Sequence, residues 1–303
     1  MTAESIELTI DTLIFDAMLE GPGDGPPVLL LHGFPESSHT WRFVQPQLAA
    51  AGYLTMAPDL RGYSPRARPG DVADYAMDLL VGDVVGLADE LGWETFHVVG
   101  HDWGATLAWQ TTGRHPDRVR TLTAVSTPHP AAFTAAKAAG PSTDGDDQAA
   151  KSSYVDVLRA PGAEELFLAD EGAVFTSMLE GSGLDAESAA YYVARYGTVE
   201  AMAGPLGWYR AATPGDAAGL GPITVPTLYV WSTEDIALGR SAAELTARHV
   251  DGPYRFEILE GVSHWIPEAA ADELAALLVD HLLPPPPTRP LLTPPPTRPT
   301  CPC

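Results

Sequence analysis

Cysteine is nearly missing from this chain of 303 residues: only Cys301 and Cys303 occur, both in a proline-rich C-terminal stretch. Two thiols at one end of the chain build neither a disulfide framework nor a four-ligand zinc site, so the core must fold without such staples. Basic residues are scarce too. Seventeen Lys and Arg stand against 40 Asp and Glu, a formal charge of −23, and a field of that sign repels nucleic acid and anionic surfaces. No Asp/Asn-rich calcium loop and no His-x-x-x-His pair accompanies the acidic residues, which therefore read as a solvated surface. Uninterrupted apolar runs of about 18 residues, the length a membrane span needs, are also lacking. The opening Met1-Thr2-Ala3-Glu4-Ser5 has no basic leader ahead of an apolar core, so no secretion signal is expected and the default location is the cytoplasm.

What the chain does have is 45% hydrophobic residues, enough over this length for one large α/β domain with an insert or for two small domains. Ser5 to Ile10 and Leu13 to Leu19 read as an opening hairpin turning at Asp11. Val28 to Leu31 is fully apolar, as in a strand buried on both faces. Strand patterns at 52–57, 96–99 and 119–125 alternate with a helical pattern at 75–91, which implies a parallel sheet covered by helices. The alternation stops over an Ala-rich stretch with helical spacing, and resumes with strands at 225–231 and 254–259 and helices at 241–249 and 267–282. We therefore expect an α/β core in two parts, 1–130 and 218–283, around an inserted helical lid, 131–217. The weakly patterned Ala138 to Ala150 reads as a flexible lid entry or a loop. Residues 284–303 carry Pro-Pro-Pro-Pro-Thr-Arg-Pro and Pro-Pro-Pro-Thr-Arg-Pro and should form an extended, mobile tail, functionless rather than a ligand for proline-recognising modules.

The chain is organised around Val98 to Gly104. A strand runs into Gly100-His101-Asp102-Trp103-Gly104 and a helix comes at once, the nucleophile-elbow pattern with Asp where Ser usually stands. A serine attacking a saturated carbon would end as an ether, which water cannot cleave. An alkylated carboxylate is an ester, whose carbonyl is open to a second attack, so Asp102 points to alkyl transfer. On such a fold an acid and then a histidine come after the nucleophile in chain order. Asp235, after the strand ending at Trp231, and His264, after the strand ending at Leu259, fill those places; Glu234 is a competitor for the first. Strand carboxyl ends converge in open α/β sheets, so the three can meet. Oxyanion stabilisation is expected from the backbone amides of Trp103 and of Phe34 in His32-Gly33-Phe34-Pro35. His32 is read as holding that turn through a backbone hydrogen bond, and His32, Pro35 and Trp103 as bordering the substrate.

His32-Gly33-Phe34-Pro35, Asp59-Leu60-Arg61-Gly62-Tyr63, Gly100-His101-Asp102-Trp103-Gly104 and Gly261-Val262-Ser263-His264 together resemble the α/β-hydrolase-fold epoxide hydrolases, relatives of the haloalkane dehalogenases, over roughly residues 5–283. The resemblance implies a mostly parallel eight-stranded sheet flanked by helices and capped by a helical lid. It also implies two lid tyrosines that hydrogen-bond the epoxide oxygen, matched here by Tyr154, ahead of Pro161-Gly162-Ala163-Glu164, and by Tyr209 in Trp208-Tyr209-Arg210. Tyr191, Tyr192 and Tyr196 lack such a context and are read as packing. The implied partners are a small epoxide and water, with no cofactor, no metal, no nucleic acid and no membrane. The alternatives are a haloalkane dehalogenase, against which Phe34 stands where that family has Asn, and a catalytically silent small-molecule binder. Arg61-Gly62-Tyr63-Ser64-Pro65 departs from the pattern, since a second Gly is expected before Ser64.

Overall fold

Apolar runs separated by amphipathic segments assemble into one eight-stranded sheet, in the order β1-β2-β4-β3-β5-β6-β7-β8. The computed structural model describes residues 3–282 except 144, 218 and 219; the proline-rich tail expected from residue 284, with both cysteines, lies outside the described residues. The first elements are β1 (Glu4–Ile10), β2 (Leu13–Glu20), β3 (Pro27–Leu31), α1 (Gln45–Ala50), β4 (Leu54–Pro58), α2 (Met77–Glu90), β5 (Phe96–His101), α3 (Trp103–Arg114) and β6 (Val119–Val125). The next described elements, up to residue 217, are helical: α4 (Pro130–Ala139), α5 (Gln148–Lys151), α6 (Tyr154–Arg159), α7 (Ala163–Gly181), α8 (Ala186–Arg195) and α9 (Val199–Ala211). The sheet is completed by β7 (Thr227–Glu234), α10 (Arg240–Leu245), β8 (Tyr254–Ser263), α11 (Ile266–Ala269) and α12 (Ala271–Leu282). Among the described residues no helix is long and apolar enough to cross a membrane.

The β1–β2 and β2–β4 pairs are antiparallel and the other strand pairs parallel. β3 shows why its apolar run forms a central strand. Side chains alternate across a strand, and Leu29 and Leu31 enter the core on one face while Val28 and Leu30 enter the core on the other. The strand order reverses at β3 and β5, and a crevice opens beyond the carboxyl ends of strands at such a switch point.

Several boundaries differ from the sequence expectation. β8 continues through Gly261 (φ 71°) to Ser263, which pairs with Glu234 after an irregularity in the β7–β8 register, so His264 comes directly after the strand without a loop. The helix expected at 267–282 is broken at Ala270, and α7 is two helices merged across non-helical residues from Ala169 to Gly172. The 138–150 stretch holds a short helix, α5, whose preceding residue Asp147 accepts from the amides of Ala149 and Ala150. α8 and the residue after it are tied to α11 and to the segments that follow β3 and β4 by polar bonds rather than by packing alone. Tyr192 donates to Glu268 at 2.7 Å, Arg195 pairs with Asp59 at 2.5 Å, and Tyr196 donates to the Glu36 carbonyl. α9 presses its backbone on the Arg61–Tyr63 loop, where a Cβ on Gly204 would lie 2.2 Å from the Gly62 carbonyl oxygen.

Candidate active site

Asp102 stands at the turn between β5 and α3 with φ 52° and ψ −118°, a conformation that costs an L-residue free energy and persists only where its surroundings over-determine it. Glycines make the turn possible. A Cβ on Gly100 would lie 2.1 Å from the Gly104 carbonyl oxygen, one on Gly104 2.1 Å from that of Leu31, and one on Gly33 2.3 Å from the Asp102 Cβ. The turn therefore lifts the Asp102 carboxylate clear of the sheet and sets it against the loop after β3.

There Oδ1 accepts from the Phe34 amide at 2.8 Å, and Oδ2 lies 3.5 Å from Nε2 of His264. Nδ1 of His264 is 2.7 Å from Oδ2 of Asp235, whose Oδ1 accepts from the amides of Ala237 and Leu238 at 2.8 and 2.9 Å. Those two amides fix the Asp235 carboxylate, which in turn orients the imidazole with Nε2 toward Asp102. Burial opposes a charge on His264, but the charges and hydrogen bonds of Asp235 and Asp102 outweigh it and hold its pKa well above the ordinary value. For Asp102 burial favours the neutral acid, yet His264, His101 and the Phe34 amide bring its pKa below the ordinary carboxylate value. Glu234, the competitor for the acid position, is exposed at the end of β7, whereas Asp235 is buried.

Glu36, His101 and Ser126 form a buried layer behind His264 that sequence reasoning missed. The His264 carbonyl is 2.9 Å from Nε2 of His101 and accepts from the Ser126 hydroxyl at 3.0 Å. Nδ1 of His101 is 2.9 Å from Oε2 of Glu36, which also accepts from the Gly33 amide at 2.6 Å. Burial pushes the Glu36 carboxyl up, but the charge and hydrogen bond of His101 prevail and lower its pKa. The available signals were His101 inside the elbow motif and Glu36 next to Pro35; neither forms a periodic pattern.

Asp102, Trp103, Tyr154 and Tyr209 share the wall of a cavity of about 510 Å³ with the apolar Met77, Phe133 and Leu238. The Tyr209 ring stands edge-to-face against Phe34 and Trp103, with centroids 5.1 and 5.2 Å apart. Burial raises the pKa of Tyr209, and so do Tyr154 and the charge of Asp102. The Tyr154 hydroxyl is raised by burial and by Asp102 and Asp235, while a hydrogen bond with Tyr209 acts the other way. Both phenols therefore keep their protons at neutral pH and are donors. Arg210 ties the two tyrosine contexts together through Glu164, with Nη2 2.8 Å from Oε2.

His32 and Pro35 are placed differently from the expectation that they border the substrate. Both are buried and neither forms part of the cavity wall. His32 has Nδ1 2.9 Å from the Gly33 carbonyl and accepts the Leu60 amide on Nε2 at 3.0 Å, so its ring braces two loops. Of the tyrosines read as packing, Tyr192 and Tyr196 make the polar ties described above, and Tyr191 stacks on His39 with centroids 3.9 Å apart.

The model of the α/β hydrolase fold family matches residues 26–270. Epoxide hydrolase A of Mycobacterium tuberculosis is 32% identical, across 86% of this chain and 92% of its own length. Epoxide hydrolase 3 of Xenopus tropicalis is also 32% identical, across 88% of this chain and 74% of its own length. Among solved structures, epoxide hydrolase A from Mycobacterium thermoresistibile superimposes with a TM-score of 0.79 at 27% identity, covering 93% of this chain and 98% of that one.

Proposed function

Since the chain belongs to the α/β-hydrolase fold family and, within it, to the epoxide hydrolases, we propose that it converts small or medium epoxides to vicinal diols through a covalent ester on Asp102. The observation that carries this reading is a carboxylate, not a hydroxyl, at the elbow, sharing a cavity wall with two protonated phenols. In the first step an oxygen of Asp102 attacks an epoxide carbon and the carbon–oxygen bond of the ring breaks. Tyr154 and Tyr209 hydrogen-bond the ring oxygen, and one of them gives it the phenolic proton as the ring opens, leaving a tyrosinate. In the second, neutral His264 takes a proton from water, and the resulting hydroxide attacks the ester carbonyl. The bond between that carbon and the alkylated oxygen breaks, the diol leaves with the oxygen from Asp102 and a proton from the new carboxylic acid, and the imidazolium proton returns to the tyrosinate, restoring the Asp102 carboxylate. Asp235 orients the imidazole and stabilises its cation. The amides of Phe34 and Trp103 serve the oxyanion, the first being already aimed at Oδ1. The steps balance with water as the only co-reactant.

In this reading residues 131–217 act as the lid that brings the tyrosines over the strand ends. A single turnover in 18O-labelled water tests the covalent step. The first diol should carry unlabelled oxygen from Asp102, and label in that diol would mean direct attack by water. A panel of haloalkanes should release no halide.

A further inference from the structure

The chain has only two lysines, Lys137 and Lys151, and Lys151 makes no ion pair among the described residues. Its ammonium donates instead to the backbone carbonyl of Asp235 at 2.8 Å. Eight residues later, Arg159 likewise has no carboxylate partner among the described residues, and its Nε donates to the backbone carbonyl of Tyr209 at 2.8 Å. Tyr154 lies between them, at the first position of α6. One short segment thus carries a site tyrosine and, near each end, a cation bound to the main chain of another site residue.

Further bonds reinforce the Asp235 side. Gln148 donates to the Ala237 carbonyl at 2.9 Å and accepts from the Gly239 amide at 2.8 Å, and Asp146 accepts from the Ser241 amide at 2.8 Å. The approach is close enough that a Cβ on Gly239 would lie 2.4 Å from Oδ1 of Asp146. α5 and α6 have four and six residues, too few to hold a helix by local bonds alone. Their placement is therefore set by these long-range contacts, in which a charged donor makes a stronger bond than a neutral one.

We propose that Lys151 and Arg159 are positioning residues that keep Tyr154, Tyr209 and the Asp235 loop in a single register. The proposal rests on the epoxide hydrolase reading. Single-turnover kinetics separating alkylation from ester hydrolysis provide the test, together with the downfield proton NMR signal of the His264–Asp235 hydrogen bond. Arg159→Leu should slow alkylation about tenfold or more and leave hydrolysis unchanged. Lys151→Met should slow both steps and shift the histidine resonance, while Lys151→Arg restores both. Folded variants with unaltered half-reactions, beside an unaltered protein that forms diol, would overturn the clamp. If the unaltered protein forms no diol, the functional reading fails, and an unmoved resonance in Lys151→Met then sinks the clamp separately. Should Lys151→Met not fold, Gln148→Leu cuts two bonds on the same side, and normal rates with an unmoved resonance in that variant would refute the proposal.

Discussion

His264 lies between two carboxylates, and only one of them keeps its charge after the first chemical step of the proposed scheme. In the resting protein Asp235 and Asp102 together raise the imidazole's pKa. Ester formation neutralises Asp102, so the pKa falls and the ring is released to act as a base just when water must be activated. The imidazole titration followed by NMR in the resting protein should therefore lie at higher pH than the acid limb of single-turnover ester hydrolysis, and coincident values would contradict this. The same shift has a stability sign. A folded pKa above the unfolded value, near 6.5, gives stability that is fully present below about pH 6.5 and fades as pH rises through the folded value. His264→Gln should thus flatten the alkaline side of the stability profile, as read by urea midpoints, and should also leave the ester intact for detection by mass. Tyr154→Phe and Tyr209→Phe should each slow alkylation roughly 10²-fold, the scale of lost proton donation, and normal alkylation in the double variant would remove them from the mechanism. That Asp102, Asp235 and His264 come together was legible in the sequence because chain order and strand ends constrain where they stand. Glu36 and His101 were not, since a buried pair drawn from a loop and the end of β5 leaves no spacing to read.

Among the elements, β6 was legible to the residue, because its β-branched Val and Thr residues favour a strand and all but the exposed Arg120 are buried. The extension of β8 was not, because pairing with Glu234 decides it, not the local residues Glu260 to Ser263. Nor was the break at Ala270, where neither Gly nor Pro marks the site and tertiary packing overrides a helical pattern. α9 offers a sharp test of how elements position the site. Gly204→Ala would drive a Cβ toward the Gly62 carbonyl, costing about 1–3 kcal/mol by overpacking and pushing back the helix that carries Tyr209. A lower Tm with slower alkylation is expected, and unchanged values of both would show that the close approach is dispensable.

Across the whole molecule the dominant quantity is the charge of −23. Self-repulsion of that size works against the folded state and is screened as the Debye length drops from about 30 Å at 0.01 M salt to about 8 Å at 0.15 M. Tm should therefore rise with sodium chloride over this range, even though exposed pairs such as Arg66–Glu7 weaken; a falling Tm would mean that the surface pairs outweigh the net charge. The helical character of the stretch between β6 and β7 was readable from composition and spacing, but its bonds to the Asp235 loop, which join residues over 80 apart such as Lys151 and Asp235, were not. Those bonds also govern how this chain can vary in length. Each residue inserted in a helix turns the remainder of that helix by about 100°, so one added within α6, between Tyr154 and Arg159, would rotate Tyr154 out of phase with the Arg159 anchor. Gly140 and Gly145 have open space around them, so insertions and deletions among homologous chains should gather between Ala139 and Asp146 and be absent from 151–159.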